Sequence, residues 1–240
     1  MTSNGLRTTA RATRLQRAMA YDGVIPAMLR AIFQYFVVSV CFVTSLIPLI
    51  AFQVLVTWQP THLAIWLAAL SVSPLPIGLY ALLASGRELL AGGSDAHGGR
   101  VFWRAFSTAA RRLWWMSLVT SALAGLLGYD VAVTGAGDGA LLLVMGVAAA
   151  WTALLIGVCV AALALPAARP ATLLAEASIG AVRRPHVALS WLLLTGIALA
   201  LTAMPLIGPS LALFVPAGAA VCILICSDAL GFTPTKAVDQ

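Results

Sequence analysis

The sequence predicts an all-α polytopic membrane protein: six transmembrane helices in three hairpins, with interfacial amphipathic helices on the cytoplasmic side. Three observations carry this expectation. First, the 240-residue chain is 61% hydrophobic and 9% charged, with a mean hydropathy of +0.99, whereas a soluble globular chain carries about 25% charged residues. Second, all 14 Lys and Arg fall in residues 7–30, 87–112 and 169–184 or at Lys236. Third, the stretches between them, Ala31 to Gly86, Leu113 to Ala168 and Pro185 to Thr235, hold no basic residue and are 56, 56 and 51 residues long. A bilayer crossing takes about 20 helical residues, so each stretch crosses twice and returns to its basic side. Positive-inside bias then puts both termini in the cytoplasm. Arg outnumbers Lys 13 to 1 among abundant Ala, Gly and Leu, which reads as GC-rich bacterial coding and makes the expected membrane a bacterial plasma membrane. The net charge of +6 borders apolar spans, so the partner it implies is anionic lipid headgroups and not nucleic acid.

Residues 1–28 form a basic cytoplasmic segment. Arg7, Arg11 and Arg14 share one helical face, and no cleavage site follows a short apolar core, so the first span is retained. The transmembrane domain covers 29–231, and 232–240 is a cytoplasmic tail. Span 1 runs from Ala31 to Thr57, with Trp58 as interfacial anchor and residues 59–62 as the outer turn. Span 2 runs from Leu63 to Leu83 and is expected to kink at Pro74 and Pro76, because proline removes a donor and frees a carbonyl that lipid cannot satisfy. A Gly-rich loop at 92–99 follows, without the order of a phosphate-binding loop.

From Arg100 to Leu113 the pattern is amphipathic. Arg100, Arg104 and Arg111 share a face, and Phe102, Phe106, Ala109 and Leu113 lie opposite. Such a helix is expected in the headgroup plane with its aromatics in the acyl boundary. Span 3 (Leu113 to Val133) carries Ala124 and Gly128 as a small-residue face for close helix approach. Span 4 (Ala140 to Leu165) ends at Pro166, with Trp151 deep enough to pack inside the bundle. A second basic junction, Ala167 to His186, ends Ala-Val-Arg-Arg as the first ends Ala-Ala-Arg-Arg. Span 5 (Val187 to Met204), a turn over 205–210 and span 6 (Leu211 to Ile225) complete the third hairpin.

No Asp, Glu, Lys, Arg or His lies mid-span, which weighs against an ion-coupled carrier, since such a group is costly in lipid and kept for function. Gln34, Gln53, Thr44, Ser45, Ser71, Ser73, Thr152 and Thr195 remain as interhelical hydrogen-bonding groups worth about 0.6 kcal/mol each. No carboxylate pair, Ser/His or Cys/His couple or zinc motif occurs, and Cys41, Cys159, Cys222 and Cys226 lie in spans without metal spacing. The chain is therefore expected to have no catalytic, cofactor or metal residues. Arg100, Arg104, Arg111, Arg112, Arg183 and Arg184 form the candidate cytoplasmic binding surface, with the reading as topology signals and headgroup anchors beside it.

Pro76-Ile77-Gly78-Leu79-Tyr80, Phe102-Trp103-Arg104-Ala105-Phe106, Arg111-Arg112, Leu165-Pro166 and Arg183-Arg184-Pro185 together resemble the YesL family of small bacterial integral membrane proteins, over most of residues 30–230. The chain departs from that pattern in Pro-Ile-Gly at 76–78 and in the added glycines at 92–99. The resemblance implies a non-enzymatic accessory role beside an ABC-type carbohydrate transporter, whose subunits would be partners. The residues alone leave open a solute channel or facilitator, a lipid-interacting scaffold, and self-association.

Overall fold

The structure, a computed structural model, describes residues 24–56, 61–92, 97–135 and 137–232. The basic segment before residue 24, the Trp58 anchor, residues 93–96 of the glycine-rich loop and Lys236 lie outside these. Eleven α-helices and no strand occur among the described residues. In chain order they are α1 (Val24–Ser45), α2 (Ile47–Leu55), α3 (His62–Ser71), α4 (Leu75–Gly92), α5 (Gly98–Arg112), α6 (Trp114–Thr134), α7 (Asp138–Ala164), α8 (Pro170–Arg183), α9 (Pro185–Thr202), α10 (Gly208–Leu211) and α11 (Val215–Ala229).

Five segments among them are long and apolar enough to cross a membrane: Met28–Ser45, His62–Gly92, Trp114–Thr134, Gly139–Ala164 and Pro185–Thr202. Val215–Ala229 is apolar but shorter.

Three of the sequence-derived spans are interrupted, each beside a proline. Span 1 breaks at Leu46, two residues before Pro48, which sits in the first turn of α2, where its missing N–H costs nothing. Span 2 is broken outright, not merely kinked: residues 72–74 form a turn and α4 restarts with Pro76 in its first turn. Span 6 divides into α10 and α11, the latter opening with Pro216. Spans 3, 4 and 5 are continuous as α6, α7 and α9, since proline is confined to their ends or absent.

α4 is the central helix. It packs on α1, α5, α6, α7 and α11, and Ala81, Leu82, Leu83 and Leu89 join Val38, Phe102, Ile156, Trp191 and Ala220 in the larger core. A second core gathers Ala109, Leu113 and Met116 of the α5–α6 junction against Leu155 and Val158 of α7 and Leu173 and Ala177 of α8. Leu126, Leu142, Met145, Leu193 and Leu199 face outward and exposed, the pattern of helices whose solvent is itself apolar.

The amphipathic helix α5 departs from expectation in what its apolar face meets. Phe102 is fully buried, Ala109 and Leu113 nearly so, and they meet α4 and α1 and, in the second core, α7 and α8. Gly98 and Gly99 allow this approach. A Cβ at Gly98 would lie 2.6 Å from Val38, and one at Gly99 2.8 Å from Val37. Gln34 of α1 closes the contact by accepting from the Gly98 N–H at 3.0 Å.

Gln34 is an exception among the uncharged polar residues expected to bridge helices. Ser45, Ser71, Thr152 and Thr195 bond instead to carbonyls of their own helices, the local competition natural to Ser and Thr. The bridges come from other residues. Ser39, fully buried, accepts from Ala217 N–H at 3.1 Å. Trp191 donates to Ser227 at 3.1 Å, and Trp151 packs inside as expected, donating to Thr120 at 3.2 Å.

Candidate functional site

The arginines divide into two sets that the sequence does not distinguish. Pro166 has no N–H to give to the Ala162 carbonyl four residues earlier, so α7 ends there with orphaned acceptors. Arg112 supplies the donors: Nη1 bonds to Ala162 O at 3.2 Å and Nη2 to Leu165 O at 2.6 Å. Arg87 of α4, which sequence reasoning passed over, adds Nη1 to Leu163 O at 3.2 Å. The Tyr80 hydroxyl lies against the Arg112 guanidinium. Two cations thus sit on one helix C-terminus, where the macrodipole carries about half a negative charge.

Arg184 does the same for α11. That helix ends with Gly231 at φ +68 in the left-handed region, Phe232 N–H bonding to Ser227 O and Gly231 N–H to Asp228 O, the paired closure that glycine permits. Two further carbonyls, Leu230 O and Gly231 O, accept from Arg184 Nη1. Phe232 then packs edge-on against Trp191, ring centroids 4.6 Å apart, over the bare face of Gly180.

The second arginine of each Arg-Arg pair therefore closes a helix further along the chain: Arg112, the last residue of α5, caps α7, and Arg184, at the N-cap of α9, caps α11. Their neighbours Arg111 and Arg183 are exposed, as are Arg100 and Arg104. None of these four guanidiniums has a hydrogen bond or ion pair among the described residues. Trp103 and Trp114, about half exposed, flank them. Of the six arginines expected to form one surface, Arg112 and Arg184 are held by backbone carbonyls of the fold and the other four are not.

Pro74 lies in the turn between α3 and α4, and Pro76 is buried in the first turn of α4. The break lies against α1. A Cβ at Gly78 would fall 2.7 Å from Ser45 Oγ at the end of α1, so the α1/α2 and α3/α4 interruptions adjoin. At the far end of α3, His62 Nδ1 and the Tyr129 hydroxyl are 3.1 Å apart. Among the described residues no three His, Cys, Asp or Glu side chains group to hold a metal ion.

No family model matches the chain, and neither does any curated protein or solved structure. The arginine arrangement is therefore read on its own chemistry.

Proposed function

We propose that the chain is a six-span protein of a bacterial plasma membrane, both termini cytoplasmic, acting as a non-enzymatic accessory or regulatory component of a carbohydrate transport system, the role implied by its resemblance to the YesL family. In this reading α1 with α2, α3 with α4, α6, α7, α9, and α10 with α11 are the crossings. The last pair runs from residue 208 to 229, about 33 Å at the helical rise, enough for the hydrocarbon layer. His62–Gly92 has 31 residues, roughly 46 Å, so its final turns, with Arg87, project beyond that layer.

One observation carries the docking role. Arg100, Arg104, Arg111 and Arg183 stand exposed, without a partner among the described residues, on helices α5 and α8, whose other faces are fixed in the core. Cations on helices already packed in the core need no backbone ordering to meet an acidic partner. The test is co-purification of a transporter subunit with the intact chain from mild detergent, weakened by Arg100→Glu with Arg104→Glu. A clean monomer, with sugar uptake unchanged on deletion, overturns the proposal.

A solute channel or facilitator is the second reading, favoured by the interrupted helices. Broken helices in lipid line protein or water, because freed backbone groups must be satisfied there. Two breaks adjoin at Ser45 and Gly78, and the start of α11 is tied to α1 through Ser39. Solute flux into liposomes containing this protein alone would establish that reading.

A further inference from the structure

Arg87 and Arg112 bring two cations to one helix end. Arg112 satisfies the Ala162 carbonyl that Pro166 leaves without a donor, and Arg87 satisfies the adjacent Leu163 carbonyl of the same turn. Among the described residues neither has a carboxylate partner. A guanidinium presents five N–H donors. Arg112 uses two nitrogens and Arg87 one on the helix, which leaves donors of both without a partner among the described residues, with the Tyr80 hydroxyl alongside. Two like charges against roughly half an opposite charge from the helix leave a local positive excess. Arg87 is exposed and Arg112 half-buried, so the pair opens outward.

We propose that Arg87 and Arg112, with the Tyr80 hydroxyl, form a preorganised site for a phosphodiester, occupied by the headgroup of an anionic glycerophospholipid. A tetrahedral phosphate accepts from both forks at once, the geometry for which guanidinium exceeds ammonium. The source being a headgroup rests on the six-span reading above, which puts Arg87 just beyond the hydrocarbon layer, where anionic lipid is concentrated. This site is distinct from the exposed arginines of α5 and α8, because here the guanidiniums are already held by backbone carbonyls before any ligand arrives.

The experiment uses the full chain, delipidated in detergent and titrated with phosphatidylglycerol, phosphatidylcholine or inorganic phosphate alone, with adducts counted by native mass spectrometry. Phosphatidylglycerol is expected to bind about tenfold more tightly than phosphatidylcholine, a difference of about 1.4 kcal/mol. Arg87→Gln, which removes one exposed hydrogen bond and leaves the Arg112 cap, is expected to erase that preference. Arg112→Lys, which keeps charge but loses the fork, should reduce it, and Arg169→Gln, at an exposed arginine before α8, should leave it within about twofold. Inorganic phosphate displacing the lipid in an Arg87-dependent way supports the phosphate chemistry and assigns a free anion as its source. Full preference in both Arg87→Gln and Arg112→Lys, or its loss in Arg169→Gln, overturns the site. Failure of the six-span reading would show separately, in the side from which residue 97 is labelled.

Discussion

Arg112→Ala is the perturbation whose cost follows most directly from the geometry. Two carbonyls lose a charged donor, but unequally. Leu165 O retains the Ala168 N–H at 3.2 Å, whereas Ala162 O has proline at the position that would otherwise donate. Orphaning that buried carbonyl costs about 1–3 kcal/mol, and the weakened bond at Leu165 about 0.5–1.5 kcal/mol. Loss of the cation from the helix C-terminus adds about 0.3–1 kcal/mol, giving roughly 2–5 kcal/mol in all. The neighbouring Arg111→Ala, exposed and unbonded, is expected to stay within about 0.5 kcal/mol. Equilibrium unfolding in mixed detergent, followed by tryptophan fluorescence, reads both. The decisive arm is a double-mutant cycle with Pro166→Ala. Restoring an N–H at 166 gives Ala162 O a backbone donor, so Arg112→Ala should cost about 1–2 kcal/mol less in that background. Equal losses at 111 and 112, or no coupling to residue 166, would refute the capping argument.

Three further outcomes are expected. Ser39→Ala leaves the Ala217 N–H unpartnered in a fully buried place, and should cost about 1–3 kcal/mol in the same unfolding assay; a loss below about 0.3 kcal/mol would remove Ser39 as the cap of α11. Gly208→Ala would set a Cβ 2.3 Å from Thr202 O, a clash with backbone, so an overpacking loss of about 1–3 kcal/mol is expected where Gly146→Ala, with open space around it, is neutral or stabilising. Single cysteines placed at positions 60 and 136 should react with an impermeant maleimide from outside the cell, and those at 97 and 175 only after permeabilisation; labelling of 97 from outside would refute the three-hairpin topology.

Much of the fold is legible in the sequence because the signals are local. Three of the six expected spans have continuous counterparts in α6, α7 and α9, whose ends proline and arginine mark. The breaks are less so. Pro48, Pro74 and Pro216 are visible, but whether a proline bends a helix or divides it depends on what receives the freed groups, and Ser39 lies 178 residues from Ala217. Periodicity gave the faces of α5 correctly and their surroundings wrongly. In a chain dissolved in lipid, acyl chains and neighbouring helices are equally apolar, so the pattern that puts Phe102 opposite Arg104 cannot tell core from bilayer. The glycines at 98 and 99, which let α1 come close, were the available signal. The candidate site was half legible. Arg111 and Arg112 are identical in type and adjacent, and what separates their roles is a contact reaching across 50 residues to Ala162. Pro166, read only as a helix stop, was the clue that a donor had to come from elsewhere, and the same clue would have brought in Arg87.

The order of donor and acceptor along the chain bears on how the protein is made. Arg112 is synthesised 50 residues ahead of Ala162, and Arg184 46 residues ahead of Leu230, so in each case the cation is already at the membrane when the helix end it serves emerges from the ribosome. At about 5–20 residues per second the interval is a few seconds. The ends of α7 and α11 can each be closed as soon as they are made, because the arginine that serves each precedes it in the chain.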